Sequence, residues 1–211
     1  YRRAADEGDT NAMFNLGVLL HERGDLGQAK AWFRRAADEG HTNALLYLGV
    51  LFQERGDLGE AEAWFRRAAD EGHTNAMFNL GVLFQERGDL GQAKTWYRRA
   101  AGEGHPDAMF NLGVLFQRRG DHGEAETWYR LAAGTGHTDA MNNLGVLFQD
   151  RGHLETFYRR GDHEEAETWY RRAADEGHTS AMNNLGNLLK RRGDHGEAET
   201  WYQRAAEAEG Q

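Results

Sequence analysis

The stretch NAMFNLGVLFQERGDLGQAKTWYRRAAGEG, Asn75–Gly104, decides the fold. Its first half places Met77, Leu80, Leu83 and Phe84 at helical spacing. That helix should stop at Gly88. Asp89, with Gln92 three residues on, reads as a capping box in its Asp form: the Asp accepts from an N-terminal amide and the Gln reaches back. The second half repeats the helical spacing with Ala93, Trp96, Tyr97, Ala100 and Ala101. It ends at Gly104, a natural left-handed residue after a helix. The stretch is two helices joined by a tight turn. One residue disturbs it. Asn79 sits inside the first helix, where an amide competes for backbone groups.

The rest of the chain repeats this unit. Trp32, Trp64, Trp96 and Trp128 lie 32 residues apart; Trp169 follows after 41 and Trp201 after 32 more. The Leu-Gly pair keeps the same rhythm. The spacing predicts one array over 1–211: a remnant at 1–8, then six units near 9–40, 41–72, 73–104, 105–136, 137–177 and 178–211. Helix pairs are expected near 11–38, 43–70, 75–102, 107–134, 139–176 and 180–209. The capping box recurs as Asp25/Gln28, Asp57/Glu60, Asp121/Glu124, Asp162/Glu165 and Asp194/Glu197. The single proline, Pro106, falls at a helix start, where its missing N–H costs little. One hairpin cannot bury both its faces, but stacked hairpins can. The fold expected is therefore all-α, an α-solenoid, a right-handed superhelix of antiparallel helix pairs. Gly81, Ala93 and Ala100 would let helices approach closely, with Trp96 and Tyr97 filling the space. Each such aromatic buries roughly 150–250 Å².

Composition excludes several classes. The 211 residues carry 25 basic and 34 acidic side chains, a formal net charge of −9. That opposes nonspecific nucleic-acid binding, which needs a basic footprint. Cysteine is absent, so disulfides and thiolate metal sites are excluded. No apolar run has transmembrane length and none reads as a secretory leader, so a cytoplasmic, non-membrane protein is expected. The chain starts at Tyr1 without a methionine, which points to a longer parent. Arginine and alanine in excess suggest a GC-rich bacterial source.

The segment NLGVLFQERGDLGQA (Asn79–Ala93) resembles the first half of a tetratricopeptide repeat, and WYRRAADEGH (Trp169–His178) resembles the second half of its Sel-like variant. The likeness spans essentially the whole chain. The period of 32 is shorter than the 34 usual in tetratricopeptide repeats. The resemblance implies a non-enzymatic scaffold that binds a peptide or protein on a concave surface lined by the first helices. It also gives Asn79 a role. The residue before Leu-Gly faces that groove in the family, and an Asn there is similar to the clamp that hydrogen-bonds a ligand's main chain. Asn15, Asn79, Asn111, Asn143 and Asn184 match; Tyr47 departs. The alternative is that these amides bond within the array, and an Asn has groups enough for both.

Helical spacing puts other candidates beside that row. Phe78 and Phe110 precede it, Val82 and Val114 follow three residues later, and Gln85 and Gln117 six residues later. The next position changes from Glu22, Glu54 and Glu86 to Arg118, so an acidic ligand end would prefer the Arg118 region. His41, His73, His105, His137 and His178 recur once per unit. At roughly 10 Å apart from helix-packing distances, they cannot share one zinc ion, whose ligands sit at about 2.0–2.1 Å. No metal site and no cofactor are expected. Nucleophile, phosphate-loop and zinc-protease motifs are missing, so an enzyme is not expected. In the fifth unit, RGHLETFYRRGDHE (Arg151–Glu164) holds two turn signals nine residues apart. A bulge over 153–161 is expected, with a short helix at Leu154–Arg160 presenting Leu154, Phe157 and Tyr158. The terminal faces, Ala4–Ala5 and Leu185, Leu188 and Trp201, are expected partly open, which would favour end-to-end contacts or a weak homo-oligomer. A peptide-binding scaffold, an end-to-end assembly module and the regulatory part of a larger protein are the competing functions.

Overall fold

The computed structural model describes residues 1–154 and 160–210. They form thirteen α-helices, and no strand occurs among the described residues. The helices are α1 (Arg2–Asp6), α2 (Thr10–Glu22), α3 (Leu26–Asp38), α4 (Thr42–Glu54), α5 (Leu58–Asp70), α6 (Thr74–Glu86), α7 (Leu90–Gly102), α8 (Pro106–Arg118), α9 (His122–Gly134), α10 (Thr138–Leu154), α11 (Arg160–Asp175), α12 (Thr179–Arg192) and α13 (His195–Glu209). The chain folds as two compact units, Tyr1–Ala108 and Met109–Gln211. In the first, α2 pairs with α3, α4 with α5 and α6 with α7, and successive pairs pack on one another. In the second, α10 pairs with α11 and α12 with α13, and α9 packs on α10. This is the α-solenoid architecture that the 32-residue rhythm predicts.

Each hairpin closes on one contact. The aromatic after Trp on the second helix lies against the glycine of Leu-Gly on the first. A Cβ placed on Gly81 would come within 2.4 Å of two Tyr97 ring carbons. Gly17 meets Phe33, Gly49 meets Phe65, Gly113 meets Tyr129 and Gly145 meets Tyr170 in the same way, at 2.4–2.6 Å. Phe33, Phe65, Tyr97 and Tyr129 have no exposed surface. Alanines line the rest of the hairpin core: Ala61, Ala68 and Ala69 on α5, and Ala93 and Ala100 on α7, are fully buried.

The turns follow their glycines. Gly88 (φ 79°) and Gly104 (φ 85°) take the left-handed conformation that a Cβ would penalise. At Gly104 the chain folds back, with the Gly104 N–H donating to Ala101 O at 3.0 Å and the His105 N–H to Ala100 O at 3.0 Å. These bonds satisfy carbonyls that the helix end leaves open.

Four expectations need correction. Asp25, Asp57, Asp89, Asp121 and Asp194 do stand at the N-caps of α3, α5, α7, α9 and α13, but only Asp89 caps with its side chain, Oδ1 accepting from the Gln92 N–H at 3.0 Å. Asp57, Asp121 and Asp194 lie beside arginines instead, as described below. Second, α10 continues through Gly152-His153 to Leu154, and α11 takes Gly161-Asp162 into its first turn, so Asp162 is not a cap. A glycine inside a helix costs only about 1 kcal/mol, and Gly-Asp makes a turn only where the chain reverses. Of the expected short helix at 154–160, residues 155–159 lie outside the described residues, Phe157 and Tyr158 among them, while Leu154 ends α10 and Arg160 opens α11. Third, the terminal faces are largely covered. Ala5, Leu185 and Trp201 are buried, leaving Ala4 and Leu188 half-buried, because α1 packs on α2 and α12 on α13. Finally, Trp96 is buried, but Trp32, Trp64, Trp128 and Trp169 are only half-buried. Most hairpins seat the smaller ring on glycine and leave the indole partly outside.

Gly81→Ala should cost about 1–3 kcal/mol, the usual penalty for overpacking, read as a lower urea midpoint. Gly59→Ala on α5, where an added Cβ meets nothing within 4 Å, should instead gain about 0.5 kcal/mol from helix propensity. Equal effects at the two sites would remove the ring contact from its central role.

Candidate functional site: the first-helix stripe

Seating the Tyr ring on glycine aims its hydroxyl along the first helix, where an acceptor must meet it. The Tyr97 hydroxyl donates to Gln85 Oε1 at 3.2 Å, Tyr129 to Gln117 Oε1 at 2.6 Å and Tyr170 to Gln149 Oε1 at 3.3 Å. In α12 Asn187 takes over, accepting from Tyr202 at 2.9 Å. The glutamines placed in the groove by spacing thus already serve the hairpin with one oxygen. Burial raises the Tyr129 and Tyr170 pKa values, so both hydroxyls stay protonated donors. Sequence reasoning missed this row. Its signal was there: Tyr occurs at 97, 129 and 202 where Gln or Asn lies twelve or fifteen residues earlier.

The Asn row divides. Asn143 Nδ2 donates to the Tyr129 hydroxyl at 3.3 Å, and Asn184 Nδ2 donates to Asn142 Oδ1 at 3.0 Å. These two amides bond within their unit. Asn15, Asn79 and Asn111 are half-buried on the same helix face. None of these three shows a side-chain hydrogen bond to the protein among the described residues. Where Tyr47 replaces Asn, its ring meets Phe14 edge-on at 5.1 Å and tilts against Phe33 at 5.3 Å. Val82 and Val114 stay half-buried beside Asn79 and Asn111, and Arg118 is exposed.

Phe78 and Phe110 face a different neighbour from the one expected. Phe78 stacks on the His105 imidazole at 4.5 Å and tilts against Tyr97 at 5.8 Å. Phe110 does the same with His137 at 4.7 Å and Tyr129 at 5.8 Å, and Phe14 with His41 at 4.6 Å. These rings help build the junction between hairpins, with their remaining edge on the stripe. No cluster of three His, Asp or Glu side chains suited to a metal occurs among the described residues.

Charge sets how the hairpins join. Glu62 on α5 receives Arg66 from its own helix at 2.8 Å and Arg87 from the end of α6. Arg87 also donates to Leu58 O at 2.8 Å. Burial opposes the Glu62 charge, but hydrogen bonds from Arg87 and Arg66 outweigh it and hold the carboxyl below its usual pKa. Glu126 binds Arg130 and Arg151, both at 2.7 Å, and Glu167 binds Arg171 and Arg192. Where α3 carries Lys30 at this position, Arg55 turns to Asp57 of its own turn at 3.6 Å. Arg119 likewise pairs with Asp121 at 3.3 Å. This explains the missing caps. Asp57 and Asp121 are held by arginines, whereas Asp89 is released to cap α7 because Glu62 has taken Arg87.

A fold of stacked helical hairpins, with helices packed through glycine and alanine and a row of half-exposed first-helix side chains, defines the class of helical-repeat proteins. Within that class, the tetratricopeptide repeat model matches residues 37–76, 78–140 and 155–211, and the Sel1 repeat model matches residues 10–41. The chain belongs to the tetratricopeptide repeat family. No curated protein matches it. Among solved structures, it is similar to a protective antigen of uropathogenic Escherichia coli with an SLR fold: 27% identity, 98% of this chain and 48% of the other, TM-score 0.79. This chain therefore spans about half the length of that antigen. It is also similar to a Sel1 repeat protein of Oxalobacter formigenes: 27% identity, 93% of this chain and 85% of the other, TM-score 0.67. The Pseudomonas aeruginosa pilF protein shares the fold at 19% identity, covering 91% of this chain and 88% of the other, TM-score 0.69. Repeats of these families are typically non-catalytic protein-interaction scaffolds. No helix among the described residues is long and apolar enough to cross a membrane.

Tyr129→Phe removes one hydroxyl that serves both Gln117 and Asn143, and should cost about 0.5–1.5 kcal/mol in chemical unfolding. Tyr97→Phe, which forfeits the longer bond to Gln85, should cost less.

Proposed function

We propose that the chain is a non-catalytic scaffold that binds an extended peptide or protein segment along the exposed stripe of its first helices. The observation that carries this reading is the contrast within the Asn row. Asn15, Asn79 and Asn111 present half-exposed amides with no protein partner, at a helix position where a polar group is otherwise a cost. An amide offers both donor and acceptor, the pair that an extended main chain requires. Val82 and Val114 would contact the ligand's apolar side chains, with the free edges of Phe78 and Phe110 beside them. Gln85 and Gln117 keep their Nε2 donors on the same face, and Arg118 would favour an acidic ligand end. Backbone bonds give affinity with little sequence preference, so these flanking groups would set specificity. The net charge of −9 makes nucleic acid a poor partner.

Peptides selected from a random displayed library against the intact chain provide the test, with affinity read by calorimetry. Asn79→Ala and Asn111→Ala should each weaken binding by about 0.5–1.5 kcal/mol and leave the melting temperature unchanged. Asn143→Ala, whose amide serves Tyr129, should lower melting as well. Selected peptides whose affinity ignores Asn79 and Asn111 would count against the stripe. A melting point that falls with Asn79→Ala would make that amide structural.

A further inference from the structure

We propose that the hairpin junctions headed by His41, His73 and His105 are an acid-sensitive set of hinges in the first unit, whereas Asp139 keeps the junction at His178 closed in acid. Each of these histidines follows the left-handed glycine and stands at the start of the next first helix. His73 Nε2 meets Asn43 Oδ1 of the preceding hairpin at 2.8 Å. An amide oxygen accepts, so this nitrogen carries the proton and Nδ1 of the neutral ring is bare. Nδ1 of His41 and of His73 is buried with no hydrogen-bond partner. In His105 it accepts from the Ala108 N–H at 3.4 Å. A second proton at His41 and His73 therefore enters a buried nitrogen with only the residue's own backbone to face it, and at His105 it breaks the bond to the helix start.

The His178 junction differs by one residue type. Its Nδ1 accepts from the Ala181 N–H at 3.1 Å, but its Nε2 faces Asp139 Oδ1 at 2.8 Å. On protonation this contact becomes an ion pair, which offsets the lost cap. The preceding-hairpin position holds Asn43 in one case and Asp139 in the other.

Other charged groups near the three first-unit histidines are few. The helices that lead into them end in Asp38 and Glu39, Asp70 and Glu71, and Glu103, all exposed, and Asp70 is engaged by Arg99 at 3.8 Å. Asp107 lies 3.9 Å from His105 and pulls the other way. Burial lowers the pKa of all three, outweighing a bond to the residue's own backbone at His41 and His73 and the Asp107 charge at His105. A lowered folded pKa means the unfolded chain binds the proton more readily. The stabilisation is fully present above about pH 6.5, the unperturbed histidine value. It is lost as pH falls through the lowered folded values.

Amide hydrogen exchange of the intact chain at pH 7.5 and 5.5, corrected for intrinsic rates and followed by NMR, tests this. Protection of Ala44, Ala76 and Ala108 should fall about tenfold per pKa unit of depression on acidification, while Ala181 keeps its protection and far-UV helicity persists. Asn43→Asp should restore Ala76 at pH 5.5, and Asp139→Asn should make Ala181 acid-labile. Protection that ignores pH, or four junctions that respond alike, would overturn the proposal. So would a global loss of helix at pH 5.5, or an Asn43→Asp chain as labile as the parent.

Discussion

Every hairpin depends on an aromatic ring lying on a glycine. With Cβ absent from Gly81, the two helices approach until the Tyr97 ring covers the glycine's backbone. The alanines at 93 and 100 then suffice to fill the rest of the hairpin core. Larger side chains there would push the helices apart and lift the ring from its seat. The same seating fixes where the Tyr hydroxyl emerges, and so requires an acceptor at Gln85, Gln117 or Asn187. A packing constraint inside the hairpin thereby dictates a polar residue on the surface that is open to a partner.

On the proposed reading the stripe serves two ends at once. Gln85 and Gln117 spend an oxygen on the hairpin and keep their amide nitrogens, and Phe78 and Phe110 spend one ring face on a histidine. Asn79 and Asn111 spend nothing. The proposed contacts to a ligand use what the architecture leaves over, so the side chains that bond within each hairpin are held in place before anything binds. Preorganised groups lose less entropy on association, which suits a scaffold whose individual contacts are weak.

The helices were legible because period, caps and glycine stops agree in every unit, as at Asn75–Gly104. Helix starts came within a residue or two of expectation, and the left-handed glycines at 88 and 104 fell where they were read. What stayed hidden depends on residues on different helices, from 12 to 42 positions apart. The capping boxes were read locally, but whether Asp57 caps α5 is decided by where Arg55 finds its charge, and that depends on Lys30 one hairpin earlier. The Phe78–His105 stack spans 27 residues and carries no local signature. The glycine signal failed at 152 and 161 because a Gly permits a turn without compelling one. The Asn row was visible as a pattern. Its division into bonded and unbonded amides was not, because that rests on whether a Tyr hydroxyl or a second Asn comes within reach.

The turn arginines draw on two kinds of partner, a glutamate on the preceding second helix where one stands there, or the aspartate of their own turn. Arg87 takes the first, Arg55 the second, and Arg192 holds both. Neither choice strands a charge. A stretch of the gene encoding one whole hairpin could be duplicated or lost, and each newly created junction would still find its arginine a carboxylate. Length in such a chain is therefore cheap to change, because the electrostatic seam repairs itself wherever the cut is made in phase.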